Sequence, residues 1–195
     1  MERVLIVSSV LLWMAVLTNL LLTLALIRQR STEPASQGQR KNYGGPPVGQ
    51  SAPDFAAETL EGRRVTRADY AGHSVAFLLV APNCAPCREA LPRYEALAPH
   101  AARAGVELVL ISIDTATPTR AFAAEQGIRL PILVAPHEDN PLMRDYNFTG
   151  TPSYCLLDAQ GTVRAAGYPS FEWGEWQALA QEWEAGTAPQ VATPA

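Results

Sequence analysis

The chain has 195 residues, of which 48% are hydrophobic and 17% are charged, and its formal net charge at pH 7 is −4. Its 15 Lys and Arg residues form no basic stripe interleaved with aromatic residues, which argues against nucleic acid as a partner. Three cysteines are too few for a disulfide-stapled scaffold in a chain of this length. We therefore expect one globular domain of about 140 residues that follows a different N-terminal segment.

The N-terminal segment has the composition of a membrane span, because Val4 to Ile27 contains no charged residue. A helix of this length, rising ~1.5 Å per residue, reaches about 36 Å and crosses a hydrocarbon core of ~30 Å. The run ends in basic residues without a small-x-small cleavage site, which favours an uncleaved anchor over a secretory signal. We predict a transmembrane anchor over residues 1–28 and a flexible Gly-, Pro-, Ser- and Gln-rich linker over residues 29–47.

The next segment, residues 48–184, alternates strand-like and helix-like patterns. Two continuous apolar runs, Ser74–Pro82 and Val106–Asp114, are typical of strands buried on both faces. Between them the spacing of apolar residues predicts an amphipathic helix that begins at about Cys84 and ends before Gly105. Strand, helix and strand in this order predict a right-handed βαβ unit.

The second half of the domain is predicted to complete an α/β sandwich. A helix is expected from about Thr117 to Gln126, followed by a short strand within Arg129–Ala135. Two strands within Pro152–Tyr168, joined by a turn, predict a β-hairpin. The final segment, Ser170–Gly186, has an aromatic face that should cover the sheet as a C-terminal helix, and residues 185–195 are predicted to form a disordered tail.

The motif Cys84-Ala85-Pro86-Cys87 lies at the predicted start of the first helix. Thiol–disulfide exchange needs an exposed thiolate and a second thiol nearby that resolves the mixed disulfide. A helix start favours an anion through unpaired N–H groups and the helix dipole, and residues at i and i+3 face each other. Lowering a thiol pKa from ~8.5 to about 7 requires ~2 kcal/mol, which we expect the helix start, local N–H bonds and Arg88 to supply. Pro86 fits the first turn because its missing N–H would be unpaired there anyway.

A second proline, in the pair Thr151-Pro152, precedes a predicted strand. A cis bond at this position would expose the backbone of Thr151 beside the cysteines. A client chain could then add to that backbone as a short extra strand. We therefore predict Thr151 and Pro152 as substrate-binding residues.

The segments "PNCAPCREALP" and "GTPSYCLLDAQGTV", with the stretch that leads into them from Val48, resemble a redoxin of the thioredoxin superfamily. The uncleaved anchor, and Asn83 in the place of the thioredoxin tryptophan, are most similar to membrane-anchored TlpA/ResA-type and methylamine dehydrogenase maturation (MauD-type) proteins. This resemblance implies a thioredoxin-like α/β fold, Cys84 as nucleophile, Cys87 as resolving thiol and Pro152 as cis-proline. The buried aspartate of thioredoxins is replaced by Leu78, so another group or water must transfer the proton.

Metal-binding interpretations fit the sequence less well than exchange chemistry. A structural zinc site uses four ligands, whereas beyond the pair the chain offers only Cys155, His73, His100 and His137, which are isolated. Copper chaperones that resemble redoxins have cysteines three residues apart and a downstream histidine, which differs from the spacing here. We expect no metal and no cofactor, and we expect Cys155 to be a small buried core residue.

Peroxidase chemistry is also disfavoured by the residues that precede the pair. A peroxiredoxin carries Thr or Ser three residues before its reactive cysteine and Pro four residues before that. The corresponding positions here are Ala81 and Phe77. The segment "APDF" near the start of the domain is nonetheless shared with that group.

These observations predict a membrane-tethered thiol–disulfide oxidoreductase that acts in protein maturation on disulfides or dithiols of exported client proteins. The alternative is a non-enzymatic redox sensor or a copper or assembly adaptor on the same fold. Four basic residues follow the span by Lys41, which would place the domain in the cytoplasm by the positive-inside rule. A tethered dithiol is most useful where thiols oxidise, so we predict a single-pass cell-membrane protein with a periplasmic or otherwise extracytoplasmic domain and a membrane thiol-transfer partner.

Overall fold

The computed structural model describes residues 12–14, 16–19, 44–172 and 174–186, and it divides the chain into the units Met1–Lys41 and Asn42–Ala195. In the first unit the described residues are helical and exposed. Within the described ranges, no helix is both long and apolar enough to span a bilayer. Most of the predicted anchor, residues 29–43 of the predicted linker and residues 187–195 of the predicted tail lie outside the described residues.

A seven-stranded sheet forms the centre of the second unit. Its strands are β1 (Ala56–Thr59), β2 (Arg64–Thr66), β3 (Ser74–Val80), β4 (Val106–Ser112), β5 (Ile132–Val134), β6 (Ser153–Leu157) and β7 (Val163–Gly167). They are arranged in the order β2-β1-β5-β4-β3-β6-β7. The strands β3, β4 and β5 pair in parallel, and the remaining pairs are antiparallel.

Helices connect and cover these strands. They are α1 (Ala85–Arg103), α2 (Ala116–Gln126), the single turn α3 (Leu142–Asp145) and α4 (Gly174–Glu184), with a 3-10 turn at Arg67–Tyr70. The buried tryptophans Trp176 and Trp183 of α4 pack in the same core cluster as Leu91 and Tyr94 of α1. The predicted apolar face of the C-terminal helix is therefore confirmed.

The side chains of β3 alternate between two hydrophobic cores, as a pleated strand requires. The core that contains α1 and α4 receives Ala76, Leu78 and Val80, and the core on the other face receives Val75, Phe77 and Leu79. Burial on both faces explains why the sequence of β3 is one continuous apolar run. The cysteine motif follows the C-terminal end of this buried strand, four residues after Val80.

The predicted βαβ unit, second helix, β-hairpin and C-terminal helix are all present. The first helix was predicted from about Cys84, and the structure places Cys84 as its N-cap. The β1–β2 hairpin and the single turn α3 have no counterpart among the predicted elements. Cys155 is completely buried in β6 as a free cysteine, which confirms its predicted place in the core.

Candidate active site

Cys84 and Cys87 form a disulfide at the N-terminus of α1. The chain leaves β3 through a tight turn in which the Cys84 amide donates to the Ala81 carbonyl at 3.1 Å. Cys84 then has extended backbone angles (φ −90°, ψ 105°), and its Sγ accepts a hydrogen bond from the Cys87 amide at 3.2 Å. The first cysteine sulfur therefore occupies the capping position, where the helix presents unpaired N–H groups.

Cys84 and Cys87 differ in their exposure to solvent. Cys87 is completely buried, whereas Cys84 is partly exposed and the residues around it, Asn83, Ala85 and Pro86, are exposed. Pro86 lies in the first helical turn, as predicted, so its ring interrupts no hydrogen bond of the helix. A client sulfur can therefore approach Cys84 directly, whereas Cys87 is reached through its partner.

Thr151 and Pro152 lie at the same end of the sheet as the disulfide. Ser153 of β6 pairs with Leu79 of β3, which puts the start of β6 beside the end of β3 from which the cysteine motif emerges. The Thr151–Pro152 peptide bond is cis, as predicted. Pro152 is buried, and Thr151 is partly exposed.

Arg88 holds the loop that precedes Cys84. Its Nε donates to the Pro82 carbonyl at 2.9 Å, and one terminal nitrogen of its guanidinium donates to Glu125 of α2, also at 2.9 Å. The guanidinium also stacks over the Phe122 ring, 5.3 Å from the centroid. These contacts secure the loop and a neighbouring helix, a role that the sequence analysis did not identify. The predicted contribution of Arg88 to the Cys84 anion stays a prediction.

The core that contains Cys87 includes buried polar atoms, while position 78, the aspartate position of thioredoxins, holds a leucine as the sequence shows. Leu78 is fully buried in the same cluster as Cys87. The Tyr94 hydroxyl is buried there without a hydrogen-bond partner among the described residues, and burial, with a smaller contribution from Tyr168, raises the Tyr94 pKa. Helical spacing predicts that Tyr94 lies on the apolar face of α1, but it does not show whether a buried hydroxyl is paired.

The histidines do not assemble around the cysteines. His73 and His137 are exposed on loops, and His100 lies in the last turn of α1 with its Nδ1 2.9 Å from an Arg103 guanidinium nitrogen. Within the described ranges, no group of three or more His, Cys, Asp or Glu side chains is arranged to hold a metal ion.

Comparison with known proteins places this site among redox proteins. Residues 48–166 match the AhpC/TSA family. The chain is 29% identical over 118 residues to the thiol-disulfide oxidoreductase ResA of Geobacillus thermodenitrificans, covering 60% of this chain and 67% of that protein. It is 31% identical over 169 residues to the methylamine utilization protein MauD of Methylobacillus flagellatus, covering 84% and 80% of the two chains.

A solved structure supports the same fold. The crystal structure of a candidate thiol:disulfide interchange protein DsbE from Chlorobium tepidum superposes with a TM-score of 0.61 at 26% identity, covering 72% of this chain and 98% of that one. The thioredoxin-like α/β fold is therefore confirmed. With its Cys84–Cys87 pair, the protein is a thiol–disulfide oxidoreductase of the thioredoxin-like type. The chain belongs to the AhpC/TSA family, within the thioredoxin superfamily.

Proposed function

We propose that Cys84 is the nucleophile and Cys87 the resolving thiol of a membrane-tethered enzyme that exchanges disulfides in exported client proteins. The observation that carries this proposal is the unequal exposure of two bonded cysteines at a helix N-terminus: Cys84 is partly exposed and Cys87 is buried. An exchange enzyme needs this asymmetry because only one sulfur should meet the client.

The exchange proceeds in two steps that conserve electrons. In the reduced enzyme the Cys84 thiolate attacks one sulfur of a client disulfide, and the other client sulfur leaves as a thiolate and takes up a proton. Cys87 then loses its proton and attacks Cys84 Sγ, which releases the second client thiol and forms the Cys84–Cys87 disulfide. Two electrons pass from enzyme to client, and the same steps in reverse oxidise a client dithiol.

The helix terminus supports the charge on the attacking sulfur. The Cys87 amide already donates to Cys84 Sγ at 3.2 Å, and a thiolate is a stronger acceptor than a disulfide sulfur. A hydrogen bond to the charged form favours that form, and the positive end of the helix dipole acts in the same direction. Since Leu78 offers no carboxylate, the proton of Cys87 passes to water or to another group as the mixed disulfide opens.

Thr151 and Pro152 form the docking edge for the client in this proposal. They lie at the sheet end that carries the disulfide, and the partly exposed Thr151 precedes the first paired residue of β6. A client segment that pairs with the Thr151 backbone would run past Cys84 as a short added strand.

The tether and the location complete the proposal. The uncharged run Val4–Ile27 anchors the chain in the cell membrane, and the domain lies on the periplasmic side, where exported clients oxidise. A membrane thiol-transfer protein exchanges electrons with the Cys84–Cys87 couple between client cycles. A reporter fused to the C-terminus of the full chain tests this arrangement, because activity of a periplasm-specific reporter supports it and activity of a cytoplasm-specific reporter contradicts it.

The chemistry is tested with cysteine variants and insulin as a general disulfide substrate. Cys84→Ser should abolish insulin reduction, whereas Cys87→Ala should accumulate a mixed disulfide between Cys84 and insulin, detected by mass spectrometry. Cys155→Ala is the matched control and should behave like the parent protein, because that thiol is buried away from the exchange. Unchanged reduction by Cys84→Ser, or no mixed disulfide with Cys87→Ala, would contradict the mechanism and favour a redox sensor or adaptor.

A further inference from the structure

A recess opens at the same end of the sheet as the disulfide, beside the residues that follow β4 and precede the Thr151–Pro152 pair. Its volume is about 530 Å³, and its lining includes Ile113 after β4, Met143 in α3 and Phe148 and Thr149 before β6. Pockets that receive ligand groups commonly have volumes of about 300–1,000 Å³. This recess is therefore large enough for two or three amino-acid side chains.

Hydrogen bonds connect one wall of the recess to the strand that carries the cysteine motif. The Ile113 amide donates to the Val80 carbonyl at 3.0 Å, and the His137 amide donates to the Ile113 carbonyl at 2.9 Å. The lining residues Phe148 and Thr149 precede Thr151 by three and two residues. A client that docks at Thr151 can therefore extend its chain over the recess.

The wall between β5 and α3 is held in place before any client arrives. The Asn140 side chain donates to the Ala56 carbonyl at 2.6 Å and accepts from the Leu142 amide at 3.0 Å. The amides of Asp139 and Asn140 both donate to the Pro136 carbonyl, at 3.1 and 2.8 Å. Because this loop is already ordered, a client that binds against it loses little free energy in ordering the loop.

The recess has an apolar floor and an acidic rim. Ile113 and Met143 are partly buried against the core, and Phe148 is almost fully buried. Glu138 and Asp139 are exposed on the rim, and no cation pairs with either carboxylate within residues 44–172 and 174–186. The one arginine in the lining, Arg144, is 2.9 Å from the carboxylate of its neighbour Asp145, so it does not neutralise the rim.

We propose that this recess is a specificity site that receives residues flanking the reactive cysteine of a client protein, namely an apolar side chain next to a Lys or Arg. The inference rests on the proposed function, since the client must first dock at Cys84. The apolar side chain fills the floor formed by Ile113 and Met143. The cation pairs with Glu138 and Asp139, whose charges have no other partner among the described residues.

The proposal is tested with short synthetic peptides, each with a central cysteine held as a mixed disulfide with mercaptoethanol. The peptides share a leucine on one flank and differ in having Lys, Gln or Glu beside it. With full-length reduced protein in excess over peptide, each protein dithiol is oxidised once as the peptide thiol and mercaptoethanol are released. We expect the second-order rate constant of this single turnover to fall in the order Lys, Gln, Glu, with about a tenfold span at low salt that shrinks as salt is added. Replacing the leucine by serine should lower this rate constant roughly tenfold.

Two charge-matched double variants separate the local rim from the net charge. The double variant Glu138→Gln with Asp139→Asn should reduce the Lys and the Glu peptide at about equal rates, so that the preference for the Lys peptide is lost. Glu61→Gln with Glu107→Gln, which changes exposed carboxylates at the opposite end of the sheet, should leave the preference intact. A preference that survives in the rim variant, or that is lost equally in the control, overturns the proposal.

Hydroxyethyl disulfide, which is too small to reach the recess, separates this inference from the proposed function. Both carboxylate double variants should reduce hydroxyethyl disulfide at the rate of the parent protein. If the parent protein fails to reduce it, the proposed exchange chemistry at Cys84 fails. If the parent reduces it but shows no preference among the peptides, only the specificity site fails.

Discussion

Replacing Arg88 by glutamine tests whether the loop before Cys84 depends on a contact that lies outside the cysteine motif. The arginine bonds to the Pro82 carbonyl and to Glu125, both at 2.9 Å, and covers the Phe122 ring. Glutamine is uncharged and lacks the guanidinium group, so the charge-assisted bond to Pro82, the ion pair with Glu125 and the stacking on Phe122 are all lost. The loop should then be held less firmly against α2.

The expected loss of stability is modest because most of the arginine's contacts are partly exposed. The ion pair with Glu125 has side-chain exposures of 34% and 60%, so screening limits its contribution to below ~0.5 kcal/mol. The charge-assisted bond to the Pro82 carbonyl is partly buried and contributes about 1–1.5 kcal/mol, and stacking on Phe122 adds ~0.5 kcal/mol. Arg88→Gln should therefore lower the free energy of unfolding by about 2 kcal/mol.

Urea unfolding of the oxidised protein measures this loss, with two further variants as controls. Arg88→Lys should lose about 1 kcal/mol, because an ammonium can keep one bond but not the forked geometry. Glu125→Gln should lose less than ~0.5 kcal/mol, since it removes only the exposed ion pair. If Glu125→Gln cost as much as Arg88→Gln, the ion pair and not the Pro82 bond would hold the loop, and the reasoning would be refuted.

Two other predictions concern the segment near Asn147 and the buried thiol. Gly44→Ala should release the chain before β1, because at φ +70° a Cβ would collide with the Asn147 carbonyl. Limited proteolysis should therefore cut this variant faster than the parent protein. Gly49→Ala is the control, because Gly49 also has a positive φ (+84°) but has open space around it, and this variant should resist cleavage. Burial raises the pKa of the Cys155 thiol, so it stays protonated in the folded state while the unfolded thiol ionises above ~8.5. The contribution of this thiol to the free energy of unfolding is complete below that pH and declines by ~1.4 kcal/mol per pH unit above it. In urea unfolding, the stability of Cys155→Ala should therefore fall less steeply at alkaline pH than that of the parent protein. An identical fall in both proteins would contradict this prediction.

The elements that could be predicted correctly from the sequence were those in which burial determines which positions are apolar. The continuous apolar runs of β3 and β4 reflect strands covered on both faces, and the aromatic spacing of α4 reflects one covered face. The cis bond at Thr151–Pro152 was implied by the resemblance to redoxins, and the structure has it. These features depend on neighbours in the chain or on repeated spacing, which a sequence displays.

The features that were missed depend on contacts between distant residues. β1 and β2 have only four and three residues, with a single buried residue in each, so their periodicity is too short to identify. Arg88 meets Glu125, 37 positions away, and the recess joins residues after β4, after β5 and before β6. The anchor over residues 1–28 and its side of the membrane stay predictions, because most of that segment lies outside the described residues.

Selective alkylation of the reduced protein tests most directly whether Cys84 is the sulfur that meets the client. A limiting amount of iodoacetamide near neutral pH, followed by peptide mapping, reports the relative reactivity of the three cysteines. We expect modification of Cys84 alone, because it is the partly exposed cysteine at the helix cap whereas Cys87 and Cys155 are fully buried. Modification of Cys87 or Cys155 at a rate equal to that of Cys84 would contradict the account.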